Sequence, residues 1–156
     1  MDNVHFSMES NEWETPQELY DELNKQYGFT LDPCATEKSA KCDKYYTKED
    51  DGLAQNWRDE IVFMNPPYGR EISKWVEKAY IESIHEDCIV VCLIPSRTDT
   101  KYWHDYIFSK AHNIMFIKGR LKFSGHKNSA PFPSAIVVFD YMACGNNYIG
   151  AYEKQV

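Results

Sequence analysis

The residues best suited to chemistry stand together at Asn65-Pro66-Pro67-Tyr68. Two consecutive prolines hold φ near about −65° in both residues, and an Asn that precedes proline is pushed out of the helical region, so the turn is stiff. A stiff turn can keep the Asn65 side-chain carbonyl and the Pro66 backbone carbonyl as two fixed acceptors, with the Tyr68 ring beside them. That set suits a flat exocyclic –NH₂ group, whose lone pair is delocalised into its ring. Accepting both of its hydrogens favours the pyramidal, nucleophilic form, and one such preorganised hydrogen bond is worth about 2.7–4 kcal/mol of barrier. The plainer use of the same residues is a rigid turn that ends a strand.

The elements needed to position this turn can be read on either side of it. Ile61-Val62-Phe63-Met64 is an unbroken apolar strand that runs straight into Asn65. The run 88–94 is apolar at every residue, as a parallel strand covered on both faces requires. Thr15-Pro16-Gln17-Glu18 is a helix start: Thr15 caps, Pro16 takes the first helical position, and Leu19, Tyr20, Leu23 and Tyr27 share a face up to the stop at Gly28. A second helix follows from Ile72, Trp75, Val76, Ala79 and Tyr80, and a third is expected around 100–109. Short strands are expected at 29–31, 45–47, 114–117, 121–123 and 135–139. This alternation predicts an α/β domain with a mostly parallel central sheet, helices on both faces and a shortened first crossover. Such sheets bind ligands at the carboxyl ends of their strands, so Asp32-Pro33, Asn65-Pro66-Pro67 and Pro95-Ser96 should meet at one edge.

Length and charge bound the partners. The 156 residues, 43% apolar and 26% charged, predict one domain over 1–156, with 1–11 flexible and 141–156 a C-terminal extension. The longest apolar run is far short of the roughly 20 residues a membrane span needs, and residues 1–5 carry no export signal, so a cytoplasmic protein is expected. The net charge of −7 is unevenly placed: residues 1–90 hold nine basic against twenty acidic side chains, residues 91–156 eight against four. The stretch 97–127 interleaves seven basic and six aromatic residues, a surface able to meet a polyanion. Its Arg97, Lys101, Arg120, Lys122, His126 and Lys127 are the candidate polyanion contacts; a solvated basic face with no partner gives the same count. Five cysteines (34, 42, 88, 92, 144) lack paired metal spacing and read as reduced thiols packed as small hydrophobes, with no metal site expected.

Asn65-Pro66-Pro67-Tyr68 resembles the [DNS]-P-P-[YFW] signature of S-adenosylmethionine-dependent amino-methyltransferases. Around it, in unbroken order over residues 12–140, stand Glu12-Trp13-x-Thr15-Pro16, Leu31-Asp32, Lys41-Cys42, Asp51-Gly52-Leu53, Leu93-Ile94-Pro95, Gly119-Arg120-Leu121-x-Phe123 and Ala130-Pro131-Phe132-Pro133-Ser134. This series is similar to the small phage-type, Dam-like DNA N6-adenine methyltransferases. The resemblance implies a Rossmann-like class I fold and a catalytic Asn65, Pro66, Pro67 and Tyr68, with S-adenosylmethionine held by Trp13, Thr15, Pro16, Asp32, Pro33, Asp51 and Leu53. The helix start after Thr15 suits the cofactor carboxylate. Asp32 suits its ammonium, Asp51 the adenine amine, Leu53 or Trp57 an apolar wall, and Trp13 or Tyr68 the sulfonium. The partner the resemblance implies is double-stranded DNA with the target adenine flipped out and stacked on Tyr68.

The turn after Asp32 departs from larger relatives in lacking glycine, which leaves Glu37, Asp43 and Glu49 as unranked ribose partners. A chain this short leaves little room for a separate recognition domain, so short or relaxed sequence specificity is expected. The phage resemblance suggests protection from restriction in a bacterial host cytoplasm as the purpose. Alternatives are methylation of a protein glutamine amide or of cytosine N4, and a non-catalytic nucleic-acid-binding domain.

Overall fold

Apolar residues at every position of 89–95, β-branched at the start and closed by Pro95, demand cover on both faces, and this strand takes the centre of the sheet. The computed structural model describes residues 12–84, 87–143, 145 and 147–153; the expected flexible segment 1–11, Cys144 and the last three residues of the C-terminal extension lie outside the described residues. Seven strands form one sheet: β1 (Leu31–Asp32), β2 (Lys44–Tyr45), β3 (Ile61–Met64), β4 (Ile89–Pro95), β5 (Asn113–Phe116), β6 (Ser134–Phe139) and β7 (Tyr148–Ala151). Their order is β2-β1-β3-β4-β6-β5-β7. Six strands run parallel, and β6, inserted between β4 and β5, runs against both. The result is a mixed α/β sheet, and no helix among the described residues is long and apolar enough to cross a membrane.

Helix α1 (Gln17–Tyr27) buries Leu19, Tyr20 and Leu23 and ends where Gly28, at φ 69°, returns its N–H to the Asn24 carbonyl at 2.9 Å. Its ring Tyr20 packs edge-on against Phe63 of β3, 5.2 Å between centroids. Helix α2 (Ile72–Ser83) lies on the other face, where Tyr80 meets Phe139. The register places Val62, Val90 and Phe139 side by side on that face, one residue out of step with Phe63 and Val91. Each aromatic ring closed between helix and sheet contributes roughly 1.5–3 kcal/mol of burial.

Three expectations are corrected by the fold. Thr15 makes no cap: Pro16 stands at the N-cap position and the Thr15 hydroxyl is used elsewhere. Residues 121–123 form no strand, because Gly119 and Gly125 turn left-handed on either side and the loop closes on itself through Ala130 N–H to Leu121 O at 2.8 Å. The third helix is a π-helical segment, Trp103–Ile107, anchored by Trp103 Nε1–H to the Pro95 carbonyl at 3.2 Å. The C-terminal extension is partly sheet, since β7 lies along β5. Between β1 and β3 there is only β2 and a 3₁₀ turn, Gly52–Ala54, with no α-helix.

Candidate active site

β1 and β3 are parallel neighbours, so Asp32 and Asn65 leave the sheet at the same edge. Beyond them opens a cavity of about 740 Å³, lined by Trp13, Thr15, Asp32, Pro33, Asp51, Leu53, Asn65, Pro66 and Pro67 among others. This lies in the range of small-molecule sites, roughly 300–1,000 Å³. The third break, Pro95-Ser96, does not reach the cavity; Ser96 N–H is held by the Pro133 carbonyl at 2.8 Å instead. Pro16 also stays outside, its carbonyl taking the Tyr20 N–H of the first helical turn at 3.1 Å.

Asn65 has a defined orientation. Its Nδ2 donates to the Trp13 carbonyl and, at 2.9 Å, to Thr15 Oγ1, so both amide hydrogens are spent on the segment before α1. The other end of the amide, Oδ1, is buried with no hydrogen-bond partner among the described residues. A buried acceptor left unpaired costs about 1–3 kcal/mol. In a residue that lines a cavity, such an atom calls for a donor on a ligand.

Asp32 is nearly enclosed, 5% exposed, and accepts the N–H groups of Lys41 at 3.0 Å and Cys34 at 3.4 Å. Burial nevertheless dominates and pushes its carboxyl up to about 6. A carboxylate kept at this cost beside a cavity suits a cationic ligand. Cys34, also on the cavity wall, is a free thiol pushed well up by burial and so unreactive, and Cys42, Cys88 and Cys92 are free as well.

Asp51 occupies the left-handed region at φ 54° on a loop held from behind. Trp57, expected as a cavity wall, is fully buried and serves as the anchor: its indole N–H donates to Gly52 O at 3.0 Å and its backbone N–H to Glu82 at 3.1 Å. Lys78 pairs with Glu82 at 2.6 Å, donates to the Gln55 carbonyl at 2.6 Å and lies 5.3 Å over the Trp57 ring. Gly52 is required there, because a Cβ would stand 2.3 Å from the Pro33 carbonyl. Leu53 is thus the apolar wall. Of the residues between β1 and Asp51, the hydroxyl-bearing Thr36, Ser39 and Thr47 line the cavity, whereas the acidic Glu37, Asp43 and Glu49 do not.

Tyr68 departs most from expectation. Its ring is buried, 3% exposed, its hydroxyl donates to the Leu93 carbonyl at 3.2 Å, and burial pushes the phenol well up. Phe123 and Phe132 stand edge-on against it at 6.3 and 5.4 Å. At 3% exposure the ring has no open face on which a base could stack. Trp13 sits between this cluster and the cavity, stacked on His126 at 4.3 Å.

None of the six candidate DNA contacts lines the cavity. Arg97, Lys101, Arg120, Lys122 and Lys127 are exposed; Arg97 lies 5.5 Å over Phe132, and Lys101 pairs with Asp105. The lysines at the cavity itself are Lys38, Lys41 and Lys48, in the acidic half of the chain. Sequence reasoning missed them because net charge over a long stretch hides three lysines brought together by a loop.

Residues 5–143 match the family model described as DNA N-6-adenine-methyltransferase (Dam). The chain is 32% identical over 111 residues to a DNA N-6-adenine-methyltransferase of Escherichia phage T1, covering 70% of this chain and 45% of that protein. It is 26% identical over 155 residues to the DNA N-6-adenine-methyltransferase of Haemophilus phage HP1 (strain HP1c1), covering 92% of this chain and 88% of that one. It therefore spans less than half the length of the first relative and most of the second. A match running from before Trp13 to beyond β6 takes in Trp13, Thr15, Asp32, Asp51 and Asn65 together, and by it the chain belongs to the Dam family of DNA N-6-adenine-methyltransferases.

Proposed function

We propose that the protein transfers the methyl group of S-adenosylmethionine to the exocyclic N6 amine of adenine in DNA. The observation that carries this reading is the Asn65 amide, whose two hydrogens are taken by Trp13 and Thr15 while Oδ1 is buried with no partner among the described residues. Family membership supports the same reading. We read the fold as a Rossmann-like class I methyltransferase, supported by the parallel strands β1, β3 and β4 with the reversed β6 beside them.

The donor set of the cavity fits the cofactor. Asp32, a buried carboxylate, takes the ammonium; Asp51 accepts from the adenine amine, and Leu53 packs against its ring. When bound, S-adenosylmethionine supplies a methyl carbon made electrophilic by the sulfonium. Asn65 Oδ1 and the Pro66 carbonyl accept the two N6 hydrogens of the target base and turn its lone pair toward that carbon. The proton that N6 would give up on accepting the methyl group would pass to water. The chain therefore contributes positioning and two aligned dipoles, with no general base.

The target adenine leaves the duplex to reach Asn65. Arg120, Lys122, His126 and Lys127, on the loop that packs on Trp13, and Lys38 and Lys48, at the cavity, meet the phosphates. The recognised site is short or relaxed in sequence. Incubation with radiolabelled S-adenosylmethionine and an unmethylated duplex library, followed by nucleoside analysis and mapping, tests the proposal. Label in N6-methyldeoxyadenosine at short sites is expected; label in N4-methylcytosine or in protein glutamine overturns it.

A further inference from the structure

The segment 12–16 before α1 has only an isolated bridge, Glu14 to Ser124, yet it is held on both sides. On one side Ser124 N–H donates to the Glu14 carbonyl at 2.9 Å and Ser124 Oγ to the Thr15 carbonyl at 3.3 Å, while His126 contacts the Glu12 carbonyl at 3.2 Å and stacks on Trp13. On the other side the same segment presents the Trp13 carbonyl and Thr15 Oγ1 to Asn65. Thr15 is 3% exposed and its hydroxyl is not used to cap α1. A buried hydroxyl passed over by the adjacent helix and aimed at a neighbouring amide is an orienting group.

An Asn amide can be rotated about its last bond so that nitrogen and oxygen exchange places. With Nδ2 toward the cavity, Asn65 would present hydrogens to an amine and repel it. The Trp13 carbonyl, which can only accept, makes that rotation unfavourable because the carbonyl of Asn65 would then face it; Thr15 Oγ1 takes the second Nδ2 hydrogen and holds the plane of the amide. We propose that Thr15 is a positioning residue for Asn65: its Oγ1, together with the Trp13 carbonyl, fixes the amide so that Oδ1 is the end offered to the reacting amine. The inference rests on the adenine-methylation reading of the site. It also gives Thr15 a role different from the cofactor contact that the resemblance implies.

Thr15→Val keeps the shape of the side chain and removes the acceptor; Thr15→Ser keeps the acceptor. With saturating S-adenosylmethionine and duplex, Thr15→Val is expected to lower the single-turnover transfer rate about tenfold, the effect of one neutral hydrogen bond. Thr15→Ser is expected to return to within about threefold of the parent. The affinity for S-adenosylhomocysteine, measured by calorimetry, stays within about threefold in both. In NMR spectra the Asn65 side-chain amide protons shift upfield in Thr15→Val and remain in place in Thr15→Ser. An unchanged rate in Thr15→Val overturns the proposal, as does a loss of cofactor affinity equal to the loss of rate, or an Asn65 amide signal indifferent to Thr15→Val. If the parent protein methylates no adenine, the reading of the site fails instead, while the amide signal still decides the hydrogen bond.

Discussion

Asp32 allows a prediction in which stability and ligand binding pull in opposite directions. In the unfolded chain its carboxyl titrates near its ordinary 3.8; in the folded chain burial holds the proton on up to about 6. Between these values the folded state binds more protons than the unfolded state, so stability falls as pH rises through the window. The neutral acid is undisturbed below about 3.8, and the charged form carries the full cost above about 6. At about 1.36 kcal/mol per pH unit, the gap corresponds to about 3 kcal/mol. Asp32→Asn removes the titration. Its hydrogen bonds to Lys41 and Cys34 change too, but by an amount independent of pH. Urea unfolding at steps from pH 3.5 to 7.5 should therefore show the parent losing about 3 kcal/mol relative to Asp32→Asn across that range. The same variant should bind S-adenosylhomocysteine roughly 10- to 150-fold more weakly at pH 7.5, the loss of a hydrogen bond to a charged group. Parent affinity should drop about tenfold per pH unit below 6, and that of Asp32→Asn should not. Parallel stability curves, or equal affinities, would refute the assignment of Asp32 as the ammonium partner.

Replacing Asn65 by Ala should abolish methyl transfer to adenine and leave S-adenosylhomocysteine affinity within a few-fold by calorimetry; joint loss of both would mean that Asn65 only shapes the turn. Glu82→Gln leaves Lys78 without its ion-pair partner behind the Asp51 loop, and should destabilise the fold by about 3 kcal/mol in urea unfolding while weakening cofactor binding more than DNA binding. Arg120→Ala and Lys122→Ala should each weaken duplex binding across unrelated sequences and lower the slope of log K against log salt by about one, measured by fluorescence anisotropy from 50 to 200 mM salt.

The sequence by itself determined the local chemistry and the order of the elements. The Pro-Pro corner after a run of four apolar residues, the amphipathic spacing from Leu19 to Tyr27 with Gly28 as its stop, and the unbroken apolar stretch that became β4 are all short-range signals: φ restriction, periodicity and burial act between near neighbours. The same signals located Asp32 and Asn65 at strand ends, and parallel strands put both at one edge. Tertiary structure alone decided how side chains were shared among distant segments. Thr15 looked like a cap because the helix start was in view and Asn65, fifty residues on, was not. Tyr68 looked like an open ring, but Phe123 and Phe132 close over it from a loop bracketed by two left-handed glycines. Trp57 looked like a wall and is a buried anchor, because Glu82 and Lys78 reach it from α2. Hydrogen-bond partners and burial depend on which surfaces meet after the chain closes, and that information is carried by the whole packing rather than by any window of residues.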